Sequence, residues 1–201
     1  MISGIASSFP EPISVLDLGC GTGRYIHCVK NAERYVGVDA SAPMLEVAKN
    51  PIRKNEITAR RVYLVQADIY SLNLQRASFD FIFSIGVLGD YIPLTVQFCN
   101  NLRLMLRPNG KALFTVMDAK TGHSEGGWKR KLALAIYPFL AQSLKSRVDV
   151  RIGNFKHTEE EVREILDKSG FACYAVRHTL ELDPNHEIWD GSWFICEATQ
   201  E

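Results

Sequence analysis

Much that would mark a metal centre, a membrane span or a secreted scaffold is missing from this chain. Its five cysteines (Cys20, Cys28, Cys99, Cys173 and Cys196) include no CxxC pair and no Cys/His spacing suited to zinc. No acidic cluster has the spacing of a divalent-cation site, so no metal is expected. An odd number of scattered cysteines, with no signal peptide ahead of them, reads as reduced and intracellular. No apolar run approaches the roughly 18 residues a membrane span needs. The expected location is therefore the cytoplasm. Net charge is zero, which argues against bulk binding to nucleic acid.

What is present is the make-up of an ordinary globular protein. The 201 residues are 46% hydrophobic and 23% charged, enough for one domain to bury its own core without staples. Charge is distributed unevenly. Residues 120–157 carry 8 basic and 2 acidic groups, whereas residues 158–201 carry 3 basic and 11 acidic. The basic block is the one compositional anomaly.

Along the chain, short apolar runs alternate with helical patterns. Strands are expected at Ile13–Leu18, Tyr35–Val38, Val62–Gln66, Phe79–Ser84 and Lys111–Met117, and at Phe171–Leu182 and Ser192–Ala198 near the end. Helices are expected from Gly23 to about Ala32, from Ser41 to about Asn50, over Pro93–Leu106 and over Thr158–Ser169. The last has Thr158 and Glu161 at capping-box spacing. Such alternation means right-handed βαβ units: an α/β, doubly wound, Rossmann-like sheet of seven strands, mostly parallel with an antiparallel last strand. One domain over residues 1–201 is expected, with a basic helical insertion at about 119–157.

The most informative segment is Val15-Leu16-Asp17-Leu18-Gly19-Cys20-Gly21-Thr22-Gly23-Arg24, with three glycines between a strand and an expected helix. Glycine permits a sharp turn there and lets a ligand touch the backbone, at the strand end where open α/β sheets hold ligands. A dinucleotide fingerprint is GxGxxG; here the spacing is GxGxG and Arg24 stands next. Asp39 closes the second strand, where a carboxylate can accept both hydroxyls of a ribose. Gln66-Ala67-Asp68-Ile69 closes the third.

Together these strings resemble the class I S-adenosylmethionine-dependent methyltransferases. The resemblance covers residues 13–118 well and the C-terminal helix and strand pair more loosely. It implies S-adenosylmethionine as cofactor and S-adenosylhomocysteine as product. It also implies a cofactor site built from Asp17, Gly19, Cys20, Gly21, Gly23, Asp39, Ala40, Asp68, Ile69, Ser84 and Ile85. In that family the glycine loop curls around the methionine moiety, the aspartate matching Asp68 binds the adenine amino group, and the amide matching Ile69 binds a ring nitrogen. Asp80 matches the family pattern with a structural role. Ser84-Ile85-Gly86 is expected to line the cofactor and face the reacting methyl.

Methyl transfer from a sulfonium requires alignment and, for some acceptors, a base. Asp90 and Tyr91, just past the fourth strand, and His123, in a glycine-flanked loop, are the candidate catalytic residues; Glu125 and His157 are further candidates. Gly86-Val87-Leu88-Gly89-Asp90-Tyr91 does not match the Asn/Asp-Pro-Pro-Tyr/Phe pattern of methyltransferases acting on base amines or glutamine amides. No Pro-Cys stands there for a cytosine-C5 enzyme. A small-molecule acceptor is the expected partner. The resemblance implies that the basic insertion is a lid over the acceptor pocket; its charge either holds an anionic acceptor, rests on an anionic membrane surface as a peripheral contact, or belongs to a packed helix with a solvated face. Only about twelve residues precede the first strand, whereas many family members fold helices there over the cofactor. Either the chain is a piece of a longer protein, or the cover comes from the insertion or a partner subunit. The competing class is a non-catalytic relative that binds the cofactor or pairs with a catalytic subunit; the GxGxG spacing and Asp68 count against a nicotinamide oxidoreductase.

Overall fold

Strand β1 (Ile13–Leu18) is buried along all but Ser14, as a central parallel strand covered on both faces must be. It is seen in a computed structural model that describes residues 1–72, 74–120, 155–171, 173–182 and 193–200. The other strands are β2 (Ala32–Asp39), β3 (Arg61–Gln66), β4 (Phe79–Leu88), β5 (Leu106–Met117), β6 (Cys173–His178) and β7 (Trp193–Thr199). They form one seven-stranded sheet in the order β3-β2-β1-β4-β5-β7-β6. β7 runs antiparallel to both of its neighbours, and the remaining pairs are parallel. The winding reverses between β1 and β4, the switch point at which such sheets open a crevice.

Side chains alternate across the strands to build two apolar layers. On one face Leu16, Phe114 and Cys196 meet α3 (Val96–Met105) and α4 (Glu159–Lys168) through Phe98, Leu102, Val162 and Leu166. On the other, Val15, Tyr35, Phe81, Phe83 and Ile195 meet Ile2 and Ala6 of α1 (Ile2–Ser7). The expected caps hold. Ser41 accepts from Met44 N at the start of α2 (Ala42–Ala48), and Thr158 and Glu161 form a reciprocal capping box on α4.

Three boundaries differ from expectation. The helix expected from Gly23 to Ala32 is only a 3-10 turn, Ile26–Cys28, and β2 begins at Ala32. Nine or so residues that include Tyr25, Ile26 and Val29 have little intrinsic helicity. Burial of Ile26 and Val29 against the sheet decides their conformation instead. The turn at Pro108-Asn109-Gly110 is a loop-out within the longer β5: Leu106 pairs with Phe79 and Lys111 with Phe81. Asn109 takes φ +62° there and donates to Gln200 O. β6 stops at His178, because the buried Thr179 hydroxyl accepts Trp193 N and the chain turns into α5 (Thr179–Leu182).

Most of the basic insertion, residues 121–154, lies outside the described residues. Among the described residues no helix is long and apolar enough to cross a membrane.

Candidate active site

The glycine loop is pinned to the second strand before it turns. The amides of Gly19 and Cys20 both donate to Val38 O, at 2.8 and 3.0 Å, and Gly23 N donates to Cys20 O. Its glycines serve different ends. A Cβ on Gly19 would lie 2.4 Å from Val87 Cγ2, so β4 sits directly on the loop backbone. A Cβ on Gly21 would meet nothing within 4 Å. Gly23 faces Ile26 and Ala48 of α2.

Gly21 opens onto a cavity of about 750 Å³, within the range of small-molecule sites. Its walls are the loop Gly19–Thr22 and Met44 on one side, and Ile85, Gly86 and Trp193 on the other. Met1, Ile2 and Ser3 also line it, together with Arg24 and Tyr25. The start of the N-terminal helix thus lines the same cavity as the glycine loop.

The strand-end carboxylates Asp39 and Asp68 are not among the residues that line this cavity; Asp39 reaches it only through its bond to Gly21. Asp39 accepts Gly21 N through Oδ2 and Ser41 N through Oδ1, each at 2.8 Å, and so ties the loop to the start of α2. Ala67 N donates to Asp39 O, which brings the ends of β2 and β3 together. Beyond it Asp68, exposed, accepts Tyr70 N at 2.9 Å, and Ile69 packs on the α3-side layer. Ala40 is exposed, its carbonyl accepting from Gln66.

Asp17, in β1, and Cys20, within the loop, are both buried. Asp17 is 1% exposed and accepts the Tyr35 hydroxyl. Burial lifts its pKa to about 7; the Tyr35 bond opposes this and the Asp39 charge adds to it. Cys20 is buried, which pushes its thiol far up, with the Asp17 and Asp39 charges adding.

At the end of β4, the buried Ser84 hydroxyl donates to Leu18 O at 2.8 Å. Then Ile85, Gly86 and Val87 stand opposite the single β5 residue Thr115, because Ser84 pairs with Phe114 and Leu88 with Val116. This bulge is held from both sides. Gly86 N donates to the fully buried Thr115 hydroxyl at 2.8 Å, while Val87 presses on Gly19. Sequence reading missed Thr115. Its one trace is a polar residue within the apolar run Ala112-Leu113-Phe114-Thr115-Val116-Met117.

The candidate bases divide. Asp90 and Tyr91 form a tight turn after β4, with Tyr91 N donating to Val87 O and Tyr91 59% exposed. The β4 residues on the cavity wall are Ile85 and Gly86, not these two. His123 and Glu125 lie outside the described residues. His157 accepts Leu94 N on Nε2 at 3.0 Å, and burial lowers its pKa against the opposing Glu161 charge. It is thereby a neutral clamp between loop and strand, with that lone pair already engaged. Sequence reading also missed the approach of Asp118 to His178, 3.1 Å apart at the ends of β5 and β6. No local pattern joins residues so far apart. Asp80 takes the structural place expected of it, accepting Ser14 N and both bonds from Arg107.

A methyltransferase-domain family model matches residues 11–170. The chain is 32% identical over 117 residues to the malonyl-[acyl-carrier protein] O-methyltransferase of Halalkalibacterium halodurans, covering 55% of this chain and 41% of that protein. It is 33% identical over 134 residues to the protein-lysine N-methyltransferase efm4 of Schizosaccharomyces pombe, covering 55% and 56% respectively. The chain thus spans about half the length of these curated relatives. Among solved structures, an S-adenosylmethionine-dependent methyltransferase from Mesorhizobium loti superposes with a TM-score of 0.62 at 20% identity, covering 98% of this chain and 96% of that one. Haemonchus contortus phosphoethanolamine N-methyltransferase 2, solved with S-adenosyl-L-methionine, gives 0.65 at 21%, covering 99% of this chain and 52% of that one. At these identities the likeness is one of fold.

Proposed function

The chain belongs to the methyltransferase-domain family, whose model spans residues 11–170, and from that membership we propose that this S-adenosylmethionine-dependent methyltransferase acts in line on a small-molecule acceptor. The observation that carries the reading is the open face of Gly21, set between the Asp39 carboxylate and the Ile85–Gly86 wall.

The residues present fit such a cofactor. Each Asp39 oxygen takes one backbone amide, which leaves acceptor capacity for ribose hydroxyls. A side chain on Gly21 or Gly86 would project into open space, and neither has one. Asp68 and the amide of Ile69 are assigned to the adenine edge. Gly19, Cys20, Gly21 and Gly23 are assigned to the methionine end, with Ala40, Ser84 and Ile85 around it. Asp17 is assigned a supporting role in β1, since it is buried and paired with Tyr35. The bound cofactor supplies a methyl group on a sulfonium, for which the leaving group is neutral.

The chain's contribution is alignment. The bulge at Ile85–Val87 is clamped by Thr115 and Gly19, so the wall facing the acceptor is fixed relative to the loop. Tyr25, Ile85 and Trp193 keep the interior of the cavity apolar. Asp90, Tyr91 and His123 remain the proposed catalytic candidates, to be tested by substitution.

Calorimetry with S-adenosylhomocysteine against NAD tests the reading. Binding of the former alone is expected. No heat, or equal affinity for both, would overturn it; tight binding with no turnover of any acceptor would favour a regulatory relative.

A further inference from the structure

Arg24, an exposed residue, lines the cavity with its guanidinium 5.7 Å from the centroid of the Tyr25 ring. No carboxylate among the described residues pairs with it. Tyr25 is in turn held edge-on to Phe83, at 6.5 Å and 83°. A cation supported on a fixed aromatic face is a preorganised receptor for a planar anion, since guanidinium donors match the two oxygens of a carboxylate. Beside it Tyr25, Ile85 and Trp193 give an apolar wall for the body of such a ligand.

Among the described residues, the other titratable groups on that wall are the Cys20, Cys28 and Tyr25 side chains and the Met1 α-amino group. Burial pushes the three side chains upward, so none of them is a carboxylate-like or thiolate base near pH 7. A wall so composed suits a nucleophile that arrives already ionised. An ammonium or an alcohol would need a base to remove its proton first.

We propose that the acceptor is a small organic acid with an apolar body, oriented by Arg24 and methylated on a carboxylate oxygen. This builds on the methyl-donor reading above. One oxygen is held by the guanidinium; a lone pair of the other forms the new O–CH3 bond. The electron pair of the broken C–S bond leaves with the sulfur, which becomes a neutral thioether. No proton moves.

The experiment uses the full chain saturated with S-adenosylhomocysteine, titrated in a calorimeter with hexanoate, benzoate and phenylacetate. Their amides and the amines hexylamine and benzylamine serve as matched controls. At least one acid is expected to bind about 10–100-fold more tightly than its amide and amine, as a charge-assisted pair implies. Arg24→Met should erase that preference while changing S-adenosylhomocysteine affinity less than about threefold. With labelled donor, the same acid should yield a base-labile methyl ester at a rate flat from about pH 6 to 9, where a carboxylate is fully ionised. The proposal is overturned if no acid binds, if amides or amines bind as well, or if the product is a methylated amine formed faster as pH rises. It also falls if Arg24→Met weakens S-adenosylhomocysteine rather than the acid, because Arg24 then serves the cofactor. Loss of S-adenosylhomocysteine binding by the unmodified protein would instead strike the broader reading.

Discussion

Replacing Gly19 with alanine probes the junction on which the proposed site depends. The new Cβ would lie 2.4 Å from Val87 Cγ2 and 3.4 Å from Val87 Cβ and Cγ1. The backbone there is left-handed, at φ +78°. That conformation costs an L residue about 1–2 kcal/mol, and forcing the bulge to repack around the methyl adds about 1–3 kcal/mol. Urea denaturation should therefore show Gly19→Ala destabilised by about 2–5 kcal/mol. The two parts can be separated. Val87→Ala removes the opposing methyls, so the double variant should retain only the backbone part, a favourable coupling of about 1–3 kcal/mol. Gly21→Ala is the control, with φ +51° and nothing within 4 Å of its Cβ. It should lose only about 1–2 kcal/mol of stability, independently of Val87, yet weaken S-adenosylhomocysteine by placing a methyl in the cavity. Coupling between Gly19 and Val87 below about 0.5 kcal/mol, the additivity of independent sites, would refute the clamp.

Asp39→Ala removes the acceptor of the Gly21 and Ser41 amides and should weaken S-adenosylhomocysteine by about 1.5–3 kcal/mol in calorimetry; unchanged affinity would remove Asp39 from the site. Thr115→Val leaves the Gly86 amide without its partner and should cost about 1–3 kcal/mol of stability, with Thr115→Ser restoring most of it. Asp17 gives a pH dependence of known sign. Its folded pKa is raised from 3.8 to about 7, so the protonated form's contribution is fully present below about pH 4 and lost as pH rises through 7. The stability of Asp17→Asn relative to the parent should grow from pH 5 to 8 by a few kcal/mol; a pH-independent difference in urea denaturation would show that Asp17 ionises freely. Asp80→Ala, at the opposite ends of the strands, should cost about 1.5–3 kcal/mol of stability through Arg107 and Ser14 and leave S-adenosylhomocysteine affinity unchanged.

Several features were legible because a few neighbouring residues encode each of them. The GxGxG spacing demands a tight turn wherever the segment sits. Thr158 and Glu161 cap a helix through bonds three residues apart. The alternation of apolar runs with helical patterns implied a parallel, doubly wound sheet, and the last two strands, read with no helix between them, were expected to pair antiparallel; they do, although the short α5 intervenes.

Tertiary structure decided what depends on register between distant strands. Ser84 reaches Leu18 O across 66 residues, and Thr115 holds Gly86 across 29. A strand's register is set by the whole sheet and leaves no local trace. Burial also overrode local reading. Asp17 is sealed beside Tyr35, with its pKa lifted to about 7 by burial. The segment after Gly23 gave up its expected helix to bury Ile26 and Val29. The sequence alone thus determined the glycine loop, because its geometry is local. Which side chains stand opposite that loop was decided only when β4 bulged against Gly19 and α1 closed the far wall.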